Sequence, residues 1–568
     1  MLLAQMQIGT IDLVVIAAYM LGITAIGIWV GYRRHASSQQ YFLAGKSLGW
    51  FSIGAALFAS NISTIHLVGL AAAGADVGMV MGNFEWMASF CLIILGLVFA
   101  PFYFKSKIST LPEYLEKRYS PQARTFLAFV AITGALLIHI GISLFAGAKL
   151  FQSFLNVPVI WSILIISGVT VIYTALGGLK AVVVTETIQT FLLLGGAILI
   201  TVLGINYLPK CDVNSISDFT AVVKENQLSM VHSIWDADGN LNKYSWLAVL
   251  LGYPVLGIWY WCSDQTIVQR VLGSKSLADS QNGALFAGFL KVLPVFLMVF
   301  PGVIGYIMLT KGHIELPLLD NGKPDYNMAL PAMINLLVRP GVKGLLAAGL
   351  LAALMSTIAA ALNSCSTLIS VDIVKRIKPE TSDQQQVLIG RISTAVVMVL
   401  AMLWSTQGDQ FGTIFEAINK IPMIFAPAVT TVFLLGVFWR RGTNKAALTT
   451  FAVGCAAGLI YFVLDMPVVG RALLADPADG FGGLVSDTSQ GLGIPFMLVG
   501  PILCAMCIVI YVVVSLNSPA PDAAKLENVC WEHPLQAVSQ GKLTGLRDPR
   551  AIALALFIVM VILYSLLH

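Results

Sequence analysis

Ala55-Ala-Leu-Phe-Ala-Ser-Asn-Ile-Ser-Thr-Ile-His-Leu-Val-Gly-Leu70 decides how the chain is read. It belongs to an apolar segment of membrane-spanning length, yet Ser60, Asn61, Ser63, Thr64 and His66 form a polar seam near its middle. A continuous helix satisfies its own backbone in lipid and has no need of such a seam. Polar groups left unpaired at that depth cost several kcal/mol each. The seam therefore predicts a helix that breaks at mid-membrane, freeing carbonyls for a cation and side chains for a polar solute.

The rest of the composition agrees with a membrane setting. Of 568 residues, 57% are hydrophobic and 11% are charged, and the mean hydropathy is +0.84. Charged content is under half the ~25% of soluble domains, and apolar runs of ~20 residues recur, so an all-α polytopic membrane protein is expected. One membrane transport domain should occupy residues 1–568, with the lipid bilayer as its surroundings. The net charge of +4 carries no nucleic-acid signal, so no nucleic-acid partner is expected. The eight cysteines are scattered without paired CxxC spacing, and Cys504 and Cys507 sit one turn apart in an apolar run as packing residues. With no nucleophile–base pair or metal cluster at usable spacing, an enzyme is not expected.

About fourteen spans are expected, at 11–32, 50–74, 80–104, 125–154, 158–175, 181–207, 245–270, 282–310, 344–372, 389–406, 412–438, 446–464, 493–515 and 551–567. The first lacks a charged leader and a small-residue cleavage site and reads as a retained span. Most of the 33 Lys and Arg residues fall in one set of alternate loops, which include Arg33, Arg34, Lys105, Lys107, Lys117, Arg118, Lys375, Arg376, Arg440 and Arg441. That set should be cytoplasmic, which puts both termini outside. The outward loops 208–244, 311–343 and 465–492 are rich in Asp, Asn, Gly and Pro. The inner segment 516–550 is too short for a signalling domain. Short loops, and Cys211 as the single cysteine in the outward loops, suggest a bacterial inner (plasma) membrane. No obligate protein partner is predicted.

Polar residues inside spans carry the functional information, because ionisable groups there are costly and mark a solute or ion path. They are Glu85 in span three, Glu186 at the inner end of span six, and the run Trp259-Tyr-Trp-Cys-Ser-Asp-Gln265 in span seven. Lys291 lies in span eight, Ser356 and Thr357 in span nine, and Glu416, Asn419 and Lys420 in span eleven. The bland alternative is that some of them pair only to pin helices together. Spread over so many spans, the set as a whole favours a path. Without the first span, the next ten divide into two sets of five, and each set opens on a polar-interrupted member, 50–74 and 245–270. Paired interruptions of this kind point to an inverted repeat with its site at the midplane.

At these residues the chain resembles the sodium–solute symporter family, and within it the sodium/glucose cotransporter branch. The resemblance rests on Tyr41-Phe-Leu-Ala-Gly-Lys-Ser47, Ala59-Ser-Asn-Ile62, Phe84-Glu-Trp86, Tyr173-Thr-Ala-Leu-Gly-Gly-Leu179, Trp259–Gln265, Ile267-Val-Gln-Arg270, Leu362-Asn-Ser364 and Val432-Phe-Leu-Leu-Gly-Val-Phe-Trp439. Cys530-Trp531 and the extra last span also look like this branch. The resemblance implies a LeuT-type five-plus-five inverted repeat (50–207 and 245–438), with one extra N-terminal helix and three extra C-terminal helices over 446–568. It implies import of a neutral hexose such as glucose or galactose, driven by sodium through alternating access. Sodium would be held by the carbonyls of Ala59, Ile62 and Ala353 and the hydroxyls of Ser356 and Thr357. The sugar site would comprise Asn61, His66, Glu85, Tyr260, Trp261, Lys291 and Asn419, beneath an outer gate of Leu70, Phe84 and Phe415.

Two departures from the family pattern matter. Asn419, followed by Lys420, stands where the branch has a sugar-binding glutamine, which bears on the identity of the sugar. Ala359 and Ala360 replace the hydroxyls that members with a second sodium place one turn beyond the first site. Their inner acid, usually Asp, is Glu186 here. One sodium per sugar is therefore expected, with Glu186 at an inner gate. Another polyol-like solute (inositol, an amino sugar or a sialic acid) is the nearest alternative, and a sugar-gated channel or sensor is the alternative from another class.

Overall fold

In a computed structural model of the chain, residues 8–568 are described apart from 33–36, 156, 236–238, 240, 320–321, 408–419, 466–493, 495, 534–535 and 540–544. The main helices are α1 (Thr10–Tyr32), α2 (Trp50–Asn61), α3 (Thr64–Asp76), α4 (Met79–Lys105), α5 (Pro121–Gln152), α6 (Val159–Tyr207), α7 (Trp246–Ser263) and α8 (Gln265–Leu272). They continue as α9 (Leu277–Thr310), α10 (Val342–Ile377), α11 (Asp383–Ser405), α12 (Ala426–Phe438), α13 (Asn444–Leu464), α14 (Phe496–Leu516) and α15 (Pro549–Leu566). Extended structure among the described residues is limited to isolated bridges such as Leu48–Ser274.

Among the described residues, 11 helices are long and apolar enough to cross a membrane, or 12 if the bent pair α2–α3 counts as one span. The count falls short of the expected fourteen at two places. Segments 158–175 and 181–207 are two helices that run together across a kink at Gly178 (φ 60°, ψ −168°), so α6 counts once although it contains both expected spans. A straight helix of its 49 residues would be about 74 Å long, over twice the ~30 Å hydrocarbon core, so the interruption is what lets this segment fit a bilayer. Glycine is required there, because a Cβ would come within 2.7 Å of the Tyr41 carbonyl oxygen in a left-handed conformation. The second place is 412–438, of which residues 412–419 lie outside the described residues and the remaining helix is the 13-residue α12.

Both helices with the polar interruptions are broken. Ile62 (φ −77°, ψ 104°) and Ser63 (φ −97°, ψ 173°) are extended between α2 and α3, whose axes differ by 61°. Asp264 (φ −88°, ψ 126°) is extended between α7 and α8, and its carboxylate accepts the Thr266 N–H at 2.7 Å as an N-cap. The two ends of the bundle are fastened separately. At one end the Asp12 carboxylate of α1 accepts the N–H groups of Gly341 (2.7 Å) and Gly344 (2.6 Å), capping α10. Near the C-terminus, Met230 N–H donates to the Leu567 carbonyl at 2.6 Å. Chain ends therefore meet the loops read as outward. The loops read as inward meet one another: Arg118 donates to the carbonyls of Gly436, Trp439 and Gly442, and Tyr114 to that of Val529.

Helix α3 owes its position to backbone-to-backbone approach on α9. A Cβ at Gly302 would sit on the Ala71 carbonyl oxygen, and one at Gly74 on that of Val299. Small residues at such crossings let helices associate where lipid supplies no hydrophobic drive. Replacing Gly302 by leucine should therefore destabilise the protein by about 1–3 kcal/mol or more. Leucine at Gly195, where a Cβ meets nothing within 4 Å, should change little. Thermal unfolding of both variants in detergent checks this, and equal melting temperatures would refute the packing account.

Candidate functional site

Directly beside the break between α2 and α3 lies a cavity of about 140 Å³. That is many times the roughly 10–15 Å³ needed to hold one water, so there is room for a small polar solute. Its wall includes Asn61, Ser63 and His66 from the break, Glu85 from α4, His139 from α5, Trp259, Tyr260 and Trp261 from α7, and Thr357 from α10. Leu70, Phe84, Tyr253 and Pro422 also line it. The break is what brings these groups to one space. Ser63 N–H, which an unbroken helix would have paired, donates instead to His66 Nδ1 at 3.2 Å. That bond makes Nδ1 an acceptor and leaves the proton of the neutral ring on Nε2, which faces Glu85 Oε1 at 4.0 Å. Two walls carry π-helical turns, Ala135–Ile142 and Trp259–Ser263. Such turns recur at functional sites because they re-aim side chains within a helix.

Behind the wall stands a buried charge. Lys291 of α9 is 1% exposed and donates to Glu85 Oε2 at 2.5 Å and to Asn61 Oδ1. Its ammonium also lies 5.4 Å from the centre of the Trp261 ring and 5.8 Å from that of Phe58. A lysine this deeply buried needs such partners to stay charged. Lys291 therefore does not line the cavity; it holds in place two groups that do.

On the α10 side of the break, oxygen atoms converge. Ser356 Oγ lies 2.8 Å from the Ala59 carbonyl oxygen and 2.9 Å from that of Ala353, and Thr357 Oγ1 donates to the Ala353 carbonyl at 3.2 Å. Four of the five groups expected around sodium thus lie in mutual contact, and the fifth, Ile62, is fully buried at the break itself. Oxygen donors of this kind suit a hard cation. Thr64 Oγ1 donates to the Leu350 carbonyl at 2.8 Å, fastening the start of α3 to α10.

Of the residues expected around the solute, Asn61, His66, Glu85, Tyr260 and Trp261 line the cavity, as do Leu70 and Phe84. Asn419 and Phe415 lie outside the described residues. Glu186 is apart from the cavity: its carboxylate receives Arg270 Nη2 at 2.5 Å and Nε at 3.2 Å, with both side chains fully buried. Lys420 pairs with Asp465 at 2.7 Å. One pair at the cavity went unread in the sequence. His139 Nε2 lies 2.9 Å from Asp264 Oδ2, both side chains 8% exposed. An ionisable residue inside the apolar run 125–154 was a sufficient signal for His139.

The sodium:solute symporter family model matches residues 41–454. The sodium/glucose cotransporter 2 of Rattus norvegicus is 34% identical over 79% of this chain and 71% of its own length. The sodium/myo-inositol cotransporter 2 of Mus musculus is 30% identical over 93% of this chain and 80% of its own. Among solved structures, a substrate-bound, outward-open Na+-coupled sialic acid symporter aligns with 90% of this chain and 99% of its own at a TM-score of 0.71 and 20% identity. That likeness gives the fold, a LeuT-type helical arrangement, and no more. The relatives are transporters and not enzymes. With its broken helices, its apolar spans and this match over most of its length, the chain is an integral membrane protein that belongs to the sodium:solute symporter family.

Proposed function

We propose that the protein imports a neutral cyclic polyol, a hexose or an inositol, coupled to one sodium ion per solute. The observation that carries this reading is the break at Ile62–Ser63, which touches both sites at once. Its Ala59 carbonyl belongs to the oxygen cluster of Ser356, and its Asn61 and His66 belong to the cavity. Sodium would take up the carbonyls of Ala59, Ile62 and Ala353, while the hydroxyls of Ser356 and Thr357 turn their lone pairs inward. Fixing that backbone completes the solute wall. Asn61 and Glu85 bind hydroxyls, His66 donates through Nε2, and Tyr260 or Trp261 offers an apolar face to the C–H side of the ring. Lys291 holds Glu85 in its orientation. Leu70 and Phe84 supply an outer lid, together with Phe415. Glu186, locked to Arg270, serves at the inner end of the pathway.

A carboxylate-bearing solute fits poorly, since Glu85 would repel it and no arginine lines the cavity among the described residues. Relatives named for glucose and for myo-inositol both cover most of this chain, 79% and 93% of it, which supports a hexose and an inositol alike. Buried Ala359 and Ala360 offer no hydroxyls for a second ion, which supports a coupling ratio of one. The driving force is adequate. One charge moving through ~100 mV contributes about 2.3 kcal/mol, and a tenfold sodium gradient adds about 1.4 kcal/mol. Together they hold a neutral solute concentrated several-hundred-fold, as an order of magnitude. The distribution of Lys and Arg supports termini outside the cytoplasm.

Three outcomes are expected. Proteoliposomes with an inward sodium gradient should accumulate labelled glucose, galactose or myo-inositol, and the one that best competes identifies the solute. Uptake that persists when potassium replaces sodium would refute the coupling. The double variant Ser356→Ala/Thr357→Ala should raise the sodium concentration for half-maximal uptake at least tenfold while leaving the order of preferred solutes intact. Lys291→Met should destabilise the protein by about 3–5 kcal/mol through an uncompensated carboxylate. Adding Glu85→Gln to it should restore much of the melting temperature but none of the uptake. Additive destabilisation by the two changes would show that they do not act as a pair.

A further inference from the structure

The cavity has a second polar end. The aromatic run Trp259-Tyr260-Trp261 forms one wall, with the Tyr260 and Trp261 rings 5.1 Å apart at their centres. At the Trp261 end stand Glu85 and Asn61, backed by Lys291. At the other end stands His139, parallel to Trp259 at 6.4 Å and edge-on to Tyr260 at 5.6 Å. The two ends share a plan. A lining group is held from behind by a charge that does not itself line the cavity: Lys291 behind Glu85, Asp264 behind His139.

We infer that His139 is a solute-binding residue at this second end and that Asp264 is the residue that positions it. The inference rests on the import reading above and adds a specificity element to it. Asp264 Oδ1 is committed to the Thr266 N–H, and Oδ2 accepts from His139 Nε2. That fixes the proton of the neutral imidazole on Nε2 and leaves Nδ1 as a bare acceptor, with no partner for it among the described residues. A carboxylate fixing one ring nitrogen so that the other can act is the same logic that orients metal-bound histidines. An acceptor on the cavity wall selects for a solute hydroxyl that donates. The favoured solute is therefore a ring polyol with hydroxyls at both ends of its long axis, one set for Glu85 and Asn61 and one donor for His139. A ring substituted at that second position by a methoxy group or by hydrogen leaves Nδ1 unpaired, which costs more than a lost contact alone.

The alternative is that His139 and Asp264 only pin α5 to the break in α7. Uptake of the best solute and of its monodeoxy and O-methyl analogues into proteoliposomes separates the two. In the parent protein, one analogue position should raise KM about tenfold or more. His139→Phe should raise KM for the parent solute by a similar factor yet cause no further loss for that one analogue. Asp264→Asn, which can still cap α8, should give the same pattern more weakly. Should His139→Phe not fold, His139→Gln carries the same test, with a changed analogue order expected. An unchanged KM, or an increase equal across every analogue, would overturn the inference while leaving sodium-driven import standing. Absence of sodium-driven uptake by the parent protein would overturn both.

Discussion

Backbone polar groups cannot be left unpaired in the low-dielectric interior of a membrane, and the break at Ile62–Ser63 creates several of them at once. Much of the central architecture is an answer to that constraint. Ser356 of α10 donates to the Ala59 carbonyl that the break frees, at 2.8 Å. Thr190 of α6, donating to the Ala55 carbonyl at 2.9 Å, and Thr64, donating to the Leu350 carbonyl of α10, brace the helices on either side. His66 accepts the freed Ser63 N–H. Both sides of the break are thus fastened to α10, and each to one further helix: α2 to α6, and α3, through Gly74 and Gly302, to α9. An element tied in this way moves only with its partners, which suits a transporter whose two faces must open in turn.

The second regularity is that buried charges come in pairs across helices. Lys291 and Glu85 join α9 to α4, Arg270 and Glu186 join α8 to α6, and His139 and Asp264 join α5 to the α7–α8 break. Arg124 and Asp372 join α5 to α10 at 2.7 Å. Buried pairs of this kind add little net stability compared with apolar packing, but removing one member is costly. They therefore fix which helix meets which, and at the cavity they also set the aim of the groups that line it.

How much of this was readable in the residues differs from element to element. The break was legible because five polar side chains in an apolar run have no other economical explanation, and the seven-residue run ending in Asp264-Gln265 marked its counterpart in the second half. Membrane class and family followed from composition and ordered motifs. The division of 158–207 at Gly177-Gly178 was legible too, and the kink at Gly178 lies between the two expected segments. Pairings were the least legible. Glu186 and Arg270 are 84 residues apart, and their contact depends on how α8 docks against α6, which no local pattern encodes. For the same reason Lys291 read as a group facing the solute, whereas it stands behind Asn61 and Glu85. His139 carried a signal, an ionisable side chain in an apolar span, but its meaning required Asp264 beside it.

If one break serves both solutes, binding of each must favour the other, and by linkage the two effects must be equal. Titrating the purified protein calorimetrically gives both: solute affinity in sodium against potassium, and sodium affinity with and without saturating solute. The account predicts that sodium tightens solute binding at least ~5-fold and that solute tightens sodium binding by the same factor. Equal solute affinity in sodium and in potassium would contradict it.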